Sequence, residues 1–360
     1  MSQTAEVSAL AQLGWGADFE QEFEQYREAG LIPGRVAVQH RGAYDVYTEE
    51  GEVRAGLPGR LLHEAGDAAD LPAVGDWAAL HPPAGAQSTI RAILARRTAF
   101  VRTVASDQHR VSERQVVAAN VDVVFLVSAL VDDLNLRRLE RYLVMAWESG
   151  AQPVVLLTKI DLVDDHSRFL HEAEAITFGS CPVHLVSAVS GDGLEDVRGW
   201  FKGNRTAVLV GSSGVGKSTL VNALVGEELL ETREVREDDH RGRHTTTRRE
   251  LVVLPTGGVV LDTPGIRELQ LWDADLDQAF GDVEEVALRC RFSDCSHRTE
   301  PGCAIRAALR DGSLSADRWE SYVKLQREQR ALEIRRNHLL RREQLREYKI
   351  RARQHRSKRR

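Results

Sequence analysis

The hydrophobic and polar positions of the first hundred residues predict short helices followed by a small β-barrel. Residues 1–33 have helical spacing and are expected to form a short, loosely attached N-terminal extension. From Gly34 to about Arg102, short strand-like runs are separated by Gly and Pro at intervals of roughly ten residues, a spacing typical of all-β domains. The pattern therefore predicts a small β-barrel domain over residues 34–105.

From about Val116 the pattern changes to buried strands that alternate with helices. Near-continuous apolar runs are typical of strands buried on both faces, and amphipathic stretches such as Leu136–Glu148 lie between them. This alternation predicts a parallel sheet with helices on both sides, in a domain over residues 110–281. The last two strands flank a Pro-Thr-Gly-Gly turn and predict an antiparallel hairpin at the sheet edge. The six predicted strands are Val121–Leu130, Pro153–Thr158, Val183–Ser187, Ala207–Val210, Glu250–Leu254 and Val259–Leu261.

After Asp282 the strand pattern stops. A cysteine-rich segment is expected to form a small domain over residues 282–330, and a charged helix runs from about Ala316 into a basic tail, 331–360. From Arg327 to Arg360 there are 14 Lys and Arg against 4 Glu, so this stretch carries +10 and the rest of the chain −16. Because an excess of arginine favours phosphate contacts, the tail predicts an RNA partner.

Composition indicates an ordinary globular chain of 360 residues, with 42% apolar and 28% charged positions. No apolar run reaches the ~18 residues that a transmembrane helix needs. The N-terminus lacks the basic and apolar regions of a secretory signal. A soluble, cytoplasmic protein with no membrane partner is therefore expected, and it is expected to be monomeric because no obligate interface is suggested.

A complete phosphate-binding motif follows the strand Ala207–Val210. It matches G-x-x-x-x-G-K-S/T and opens a helical stretch, which is the context that the motif requires. The glycines let backbone N–H groups converge on the phosphates at a helix N-terminus. Lys217 is expected to reach the β- and γ-phosphates, and Ser218 to bind Mg²⁺. The expected phosphate-binding residues are Gly211, Ser212, Ser213, Gly214, Val215, Gly216, Lys217, Ser218 and Thr219.

A second motif indicates guanine rather than adenine. Thr158-Lys159-Ile160-Asp161 resembles the N-K-x-D guanine-specificity motif, with threonine in place of asparagine. An ionised Asp161 accepts two parallel N–H bonds, which guanine supplies and adenine does not, and Lys159 lays its methylenes over the base. Thr158 can still bridge to the phosphate loop but lacks the second function of an amide, so a lower affinity is expected.

Two further segments have the pattern of nucleotide-sensing switches. The segment beginning at Asp262 resembles D-x-x-G, in which Asp262 holds Mg²⁺ through water and the Gly265 N–H senses the γ-phosphate. The polar stretch before it ends in three threonines, of which Thr246 and Thr247 are the candidates for the Mg²⁺- and γ-phosphate-sensing residue.

The residue that orients the attacking water is less obvious. Ile266 stands where Ras-like enzymes place a Gln, and an apolar side chain cannot orient water, so hydrolysis by the chain alone is expected to be slow. The neighbouring His244 is the candidate, because a neutral imidazole can hydrogen-bond water, although a structural or exposed histidine is an equal alternative.

The order of these motifs is circularly permuted. Ser187-Ala188, after the strand that follows Thr158–Asp161, resembles the S-A element that contacts guanine O6 through a backbone N–H. Ordinary GTPases begin with the phosphate loop, whereas here the two guanine elements precede it, a rearrangement tolerated when the joined ends are surface loops. Because D-x-x-G then leads into the cysteine-rich segment, the nucleotide state is expected to move the C-terminal domain.

Four ligand-type side chains lie close together near the C-terminus. Cys290, Cys295, His297 and Cys303 have the spacing Cys-x4-Cys-x-His-x5-Cys. Three thiols and an imidazole are sufficient for closed tetrahedral Zn²⁺, and four protein ligands indicate a structural rather than a catalytic metal. Without an export signal, a disulfide framework is not expected.

Taken together, these features resemble the RsgA/YjeQ family, the ribosome small subunit-dependent GTPases. The resemblance covers roughly residues 34–330 and rests on Pro72–Trp77 in the barrel, Gly242–Thr247 and Asp262–Ile266 in the G domain, and the cysteine spacing. It implies an OB-fold, a zinc domain, and a GTPase that acts late in maturation of the small (30S) subunit. It further implies rRNA binding and hydrolysis of GTP to GDP and phosphate with stimulation by the subunit.

Two other functions remain open on the sequence. Ile266 is compatible with an rRNA-binding protein that binds GTP with little turnover. A metabolic P-loop kinase is the other alternative, although such an enzyme would have no use for Thr158–Asp161 or for paired switches.

Overall fold

The computed structural model describes residues 8–40, 42–65, 67–83, 85, 87–104, 113–131, 134–177, 179–228, 250–262, 280–292, 295–316 and 318–327. The predicted site residues His244, Thr246, Thr247 and Gly265 and the basic tail 331–360 lie outside these ranges.

Five strands form a closed N-terminal barrel, as the spacing of Gly and Pro predicted. They are β1 (Ile32–Gln39), β2 (Ala43–Thr48), β3 (Gly51–Gly56), β4 (Trp77–Leu80) and β5 (Gln87–Ile93), with a short helix, α1 (Gly59–Glu64), after β3. The strand order is β1-β2-β3-β5-β4, and β4 pairs back onto β1. This five-stranded arrangement, with β3 and β5 parallel and the other neighbours antiparallel, is that of an OB-type barrel.

The N-terminal extension is tightly packed rather than loosely attached, so that expectation was wrong for the described residues. Its two helices, Ala9–Gln12 and Ala17–Arg27, bury Phe19 and Phe23 in the same apolar cluster as Trp77 of the barrel. The rings of Trp15 and Trp77 meet edge to face with centroids 4.7 Å apart. Helical spacing gave no sign of this because the aromatic face finds its partner only in the folded barrel.

The segment Pro72–Trp77 forms the joint between the barrel and the α/β domain. Asp76 is fully buried and pairs in bidentate fashion with Arg96, at 2.8 Å from Nε to Oδ1 and 2.7 Å from Nη2 to Oδ2. Burial raises the pKa of Asp76, and this effect exceeds the lowering by Arg96. The Asp76 carboxylate also accepts the Ala73 N–H at 2.7 Å, so the loop is closed on itself. A charge-assisted pair of this geometry fixes the orientation of both segments.

A buried arginine holds three parts of the chain at this joint. The Arg35 guanidinium is 1% exposed and donates to the carbonyls of Gly75 at 3.3 Å, Asn120 at 3.1 Å, and Leu13. Burial lowers the pKa of Arg35 to about 10, so the side chain remains charged near neutral pH. The N-terminal extension, the barrel and the start of the α/β domain are therefore joined by one side chain.

Gly75 at this joint is expected to tolerate no side chain. Its φ is +94°, and a Cβ would lie 2.1 Å from the Ala119 carbonyl oxygen. We expect Gly75→Ala to lower the free energy of unfolding by about 3 kcal/mol. The backbone at Ala119 would have to move away from the new Cβ, and the alanine would have to adopt a strained positive φ. Gly30→Ala is the matched control, since Gly30 has a φ of +74° but nothing within 4 Å of an added Cβ. Urea denaturation of both variants measures the difference, and equal losses would show that the close approach to Ala119 is unimportant.

A separate hairpin connects the barrel to the α/β domain. Strands β6 (Ala99–Val104) and β7 (Glu113–Ala119) pair with each other as a two-stranded antiparallel sheet. Residues 99–104 were assigned to the barrel from their sequence, but the last barrel strand ends at Ile93. Alternation alone does not reveal which partner a strand will pair with.

The α/β domain contains the six strands that the apolar runs predicted. Their order in the sheet is β10-β9-β8-β11-β13-β12, and all neighbours are parallel except the edge strand β12, which runs antiparallel to β13. The predicted edge hairpin is thereby confirmed. The strands are β8 (Val123–Ala129), β9 (Gln152–Thr158), β10 (Val183–Val186), β11 (Thr206–Val210), β12 (Glu250–Val253) and β13 (Val259–Asp262).

Helices cover both faces of this sheet, as predicted. The helices here called α2 (Leu136–Ser149) and α3 (Ser167–Thr177) pack on one face, and α4 (Leu194–Gly199) and α5 (Lys217–Val225) pack on the other. Alternate residues of β8 face the two cores, because Val124 and Leu126 belong to one cluster and Val123 and Phe125 to the other. Among the described residues no helix has the length and apolarity to cross a membrane.

The C-terminal segment is fastened to helix α2 by a buried ion-pair network. It contains α6 (Gly281–Ala287), α7 (Ala304–Asp311) and the helical residues 318–327, the described part of the predicted long helix. Arg318 is 6% exposed and donates to Glu140 of α2 at 2.8 Å and to Asp282 of α6 at 2.9 Å. Its guanidinium also lies 4.1 Å from the ring centroid of the fully buried Phe280.

Candidate functional site

The phosphate-loop sequence forms a tight turn between β11 and α5. Gly216 precedes α5 with a φ of +92°, a conformation that glycine adopts without strain. Gly211 is packed so closely against β8 that a Cβ would lie 2.4 Å from the Val127 carbonyl oxygen. These glycines are therefore required by the backbone path and bring successive N–H groups to the start of a helix, where an anion is stabilised.

Lys217 lies folded over this loop. Its ammonium Nζ donates to the Gly211 carbonyl at 2.9 Å and to the Ser212 carbonyl at 2.5 Å. The cation is thus placed at the mouth of the loop by the loop's own backbone. Ser218, the next residue, lies in the first turn of α5.

The guanine-type motif lies at the end of β9 and touches the phosphate loop directly. The Thr158 hydroxyl donates to the Val215 carbonyl at 2.7 Å, and Thr158 is 5% exposed. Thr158 therefore bridges to the phosphate loop, as expected from the sequence. Lys159 follows with a φ of +60°, an unusual conformation for a side chain of this size that is often found at functional sites.

The two predicted base-binding elements are hydrogen-bonded to each other. The Ser187 hydroxyl donates to Asp161 Oδ1 at 2.5 Å and accepts the N–H groups of Val189 at 3.2 Å and Ser190 at 3.1 Å. A carboxylate has about four acceptor positions, so the bond from Ser187 leaves capacity for two further N–H donors. Asp161 is exposed, and Ala188 follows Ser187 in the turn after β10.

Asp262 also lies at this edge of the sheet. It ends β13, which runs parallel to β11 with Leu261 opposite Val208. Its backbone therefore lies at the same carboxyl end of the sheet from which the phosphate loop leaves, where ligands bind in open α/β sheets.

Sequence reasoning missed two residues that contact these motifs. The Arg138 guanidinium, on the first turn of α2, donates to the Ser212 hydroxyl in the phosphate loop. The Nε2 atom of His166 lies 2.8 Å from the carbonyl oxygen of Ile160, which belongs to the base-binding motif. Neither residue stands at a fixed spacing from a motif, so only the folded chain reveals the contacts.

Removal of the Thr158 hydroxyl is expected to weaken GTP binding about tenfold. Thr158→Val keeps the shape but leaves the Val215 carbonyl without its donor, a loss that costs about 1–3 kcal/mol in a buried site. Thr158→Asn, which restores the amide, is expected to bind GTP more tightly than the natural chain. Equilibrium titration with a fluorescent GTP analogue measures both, and Thr177→Val is the control because its hydroxyl bonds within α3, to Glu174. Unchanged affinity in Thr158→Val would contradict the expectation.

The four predicted metal ligands are brought together at the start of α7. Their ligand atoms all lie within 4.8 Å of one another. Cys290 Sγ is 4.0 Å from Cys303 Sγ, and His297 Nδ1 is 3.5 Å from the first and 3.6 Å from the second. Tetrahedral zinc with bonds to sulfur of about 2.3 Å places its sulfur ligands about 3.8 Å apart. The residues therefore fit a tetrahedral metal ion.

Backbone N–H groups at the start of α7 donate to two sulfur atoms of the cluster. The Cys290 sulfur accepts the Ala304 N–H at 3.3 Å, and the Cys303 sulfur caps α7 by accepting the Arg306 N–H at 3.5 Å. Burial opposes the ionisation of Cys290, but hydrogen bonds from the Ala304 and Ile305 N–H groups and from the neighbouring thiols together hold its pKa below the ordinary value, whereas burial raises the pKa of Cys295 to about 11. His297 has a φ of +61° and places its ring edge-on to Trp319, with centroids 5.4 Å apart.

Comparison with known proteins decides the family. A sequence model described as RsgA GTPase matches residues 93–272, which is half of the chain. The chain belongs to the RsgA GTPase family. It is therefore a GTP hydrolase, and the alternative of a metabolic P-loop kinase does not hold.

Similar proteins cover almost the full chain. The small ribosomal subunit biogenesis GTPase RsgA of Opitutus terrae is 47% identical over 332 residues, 89% of each chain. That of Streptomyces coelicolor is 44% identical and covers 96% of this chain and 93% of its own. Among solved structures, YjeQ from Thermotoga maritima is 29% identical with a TM-score of 0.62, covering 83% of this chain and 98% of its own. The similarity to RsgA proteins thus extends over most of this chain.

Proposed function

We propose that this RsgA family member hydrolyses GTP to GDP and phosphate during late maturation of the small ribosomal subunit, and that the subunit stimulates hydrolysis. The support is the name of its relatives, small ribosomal subunit biogenesis GTPases, at 44–47% identity. Its rRNA contacts would include the basic tail, whose arginines suit phosphate groups. The protein acts as a cytoplasmic monomer in this proposal.

The observation that carries the assignment of the nucleotide site is the hydrogen bond from Thr158 to Val215. It ties the base-binding motif to the phosphate loop, so one nucleotide spans both. Asp161 binds the guanine N1–H and 2-amino group, Lys159 covers the base, and the backbone at Ser187 and Ala188 contacts O6. Ile160 lies in the turn between Lys159 and Asp161.

The phosphates occupy the loop Gly211–Thr219. Ser218 and Asp262, the latter through water, would hold Mg²⁺, which would neutralise charge on the phosphates. Lys217 leaves its two carbonyl partners and donates to the phosphates, which places a positive charge where negative charge develops. Water attacks the γ-phosphorus in line with the leaving GDP oxygen. His244 orients that water. One of Thr246 and Thr247 senses Mg²⁺ and the γ-phosphate, and the Gly265 N–H senses the γ-phosphate.

The cysteine cluster holds one structural zinc ion. Cys290, Cys295, His297 and Cys303 supply all four ligands, so no coordination position is left for a substrate. The ion ties the segment after α6 to the start of α7. The distances and N–H···S contacts around the cluster support this assignment.

The test is GTP hydrolysis by the full-length protein, alone and with purified small subunits, with ATP as the control nucleotide. We expect slow turnover alone, strong stimulation by small subunits, and no hydrolysis of ATP. Large subunits at equal concentration control for non-specific RNA. Hydrolysis that is equal with and without small subunits would refute the stimulation while leaving GTP hydrolysis itself in place.

A further inference from the structure

Helix α2 presents its first two turns to two different parts of the molecule. Arg138 donates to the Ser212 hydroxyl of the phosphate loop, and Arg137 and Glu140 contact the C-terminal helix. Asn135 caps the helix by accepting the Arg138 N–H at 3.0 Å, so the backbone that carries Arg138 is itself fixed. A half-buried cation is therefore held on a rigid element beside the phosphate loop.

Ser212 is held from two sides. Its hydroxyl accepts from Arg138, and its carbonyl accepts Lys217 Nζ at 2.5 Å. Three residues on, the loop is constrained again, because the Val215 carbonyl accepts the Thr158 hydroxyl at 2.7 Å. Since the loop binds phosphate through backbone N–H groups whose directions depend on its curvature, each external tie sets part of that geometry.

The opposite side of α2 is anchored as firmly. Glu140 is 3% exposed and pairs with Arg318 at 2.8 Å, while Leu139 and Leu143 lie in the buried core. Arg318 also binds Asp282, which follows Gly265 of D-x-x-G by 17 positions in the sequence. Movement of α2 relative to the C-terminal helix would separate a buried ion pair, so Arg138 is presented to the loop by a helix with little freedom to shift.

We propose that Arg138 is a positioning residue for GTP hydrolysis, which acts through the Ser212 hydroxyl to hold the phosphate loop in the curvature that receives the triphosphate. This rests on the proposed binding of the phosphates by Gly211–Thr219. Arg138 acts on the loop and not on the substrate. The planar guanidinium, with several donors in fixed directions, suits this task better than an uncharged donor would.

A double-mutant cycle on the full-length protein tests the proposal. Arg138→Met, Ser212→Ala and the combined variant are compared for kcat and KM with GTP and for affinity toward a fluorescent GDP analogue. Each single change is expected to lower kcat/KM about tenfold, because a charge-assisted bond to the loop is lost. The combined variant is expected to lose no more than either single variant, since both changes remove the same contact. Arg138→Lys, which can still donate, is expected to keep most of the activity.

Controls separate this contact from general damage and from the site assignment. Arg137→Met removes an exposed pair with Glu320 on the same turn of α2 and is expected to behave like the natural chain. Equal thermal unfolding midpoints establish that the variants are folded. Lys217→Ala tests the nucleotide site itself: if it binds GTP normally, the proposed site fails, whatever Arg138 does.

Two outcomes would overturn the inference alone. If Lys217→Ala abolishes binding while Arg138→Met has the kinetics of the natural chain, Arg138 has no positioning role. If Arg138→Met still lowers kcat/KM about tenfold in the Ser212→Ala background, Arg138 acts directly on the phosphates or through another group, and not through Ser212.

Discussion

An Asp161→Asn variant is expected to bind GTP about 10²- to 10³-fold more weakly and to gain affinity for xanthosine triphosphate. Asparagine has one acceptor and one donor, so its NH₂ group would face a donor of guanine. Two hydrogen bonds to a charged acceptor are each worth about 1.5–3 kcal/mol, and one is replaced by an unfavourable contact. Xanthine has a carbonyl in place of the 2-amino group and would accept from the asparagine.

The comparison of GTP, XTP and ATP binding measures this change of specificity. Asp165→Asn is a matched control, because Asp165 follows four residues later and only caps the Ser167 N–H at 2.9 Å, a bond that asparagine can also accept. Equal binding of GTP and XTP by the natural chain, or unchanged selectivity in Asp161→Asn, would remove Asp161 from the base site. Loss of all three nucleotides would instead indicate that the Asp161–Ser187 contact is needed for folding of the loop.

Replacement of Cys303 by alanine is expected to abolish stoichiometric zinc binding and to unfold the segment around α7. Structural zinc contributes on the order of 10 kcal/mol to the folding of small metal domains, and Cys303 is both a proposed zinc ligand and the cap of α7. Its loss also removes the constraint that holds His297 against Trp319. Zinc content by mass spectrometry and hydrogen exchange of the Ala304–Asp311 amides report the two effects separately.

Cys181→Ala is the control for this experiment. Cys181 is buried apart from the four-residue cluster, and burial raises the pKa of its thiol to about 12. The Cys181→Ala variant should retain one zinc ion per chain and normal protection of the α7 amides from hydrogen exchange. If Cys303→Ala also retained one tightly bound zinc ion, the four-residue cluster would not be the zinc site.

In the permuted order, the C-terminal segment follows the D-x-x-G segment in the chain. The attachment of the C-terminal segment to helix α2 limits how that segment can move. Phe280 is fully buried, and Arg318 joins Asp282 to Glu140 of α2. Breaking a buried ion pair by separating its partners costs about 3–5 kcal/mol. A displacement of the C-terminal segment driven by the nucleotide is therefore favoured only if α2 moves with it. We therefore expect a movement of the C-terminal domain in which Arg318 keeps its ion pairs with Glu140 and Asp282.

Much of the fold follows from local pattern. Each strand of the α/β sheet is an apolar run bounded by turn residues, and β12 and β13 are separated by only five residues, so their pairing follows from the connection. The phosphate loop and the cysteine cluster are defined by spacing within 14 residues or fewer. Patterns of this length depend on local backbone geometry, which is why the phosphate-loop sequence lies between a strand and a helix and the four side chains of the cysteine cluster lie together, as predicted.

Other features depend on where distant segments meet. The residue partners Thr158 and Val215 are 57 positions apart, and Arg138 and Ser212 are 74 apart. No spacing rule connects them, because they meet only after the sheet has set β8, β9 and β11 side by side. The packing of the N-terminal aromatic residues on Trp77 belongs to the same class, since its partner face is created by closure of the barrel.

The sequence by itself therefore determined the strands, the motifs, their permuted order and the grouping of the four cysteine-cluster side chains, because these depend on contiguous residues and the local geometry they favour. Tertiary structure alone decided that Thr158 fastens the base motif to the phosphate loop, that Arg138 holds Ser212, and that Gly75 must be glycine. Each of these is a contact between surfaces formed by separate elements, and the free energy of such a contact exists only once those elements have packed.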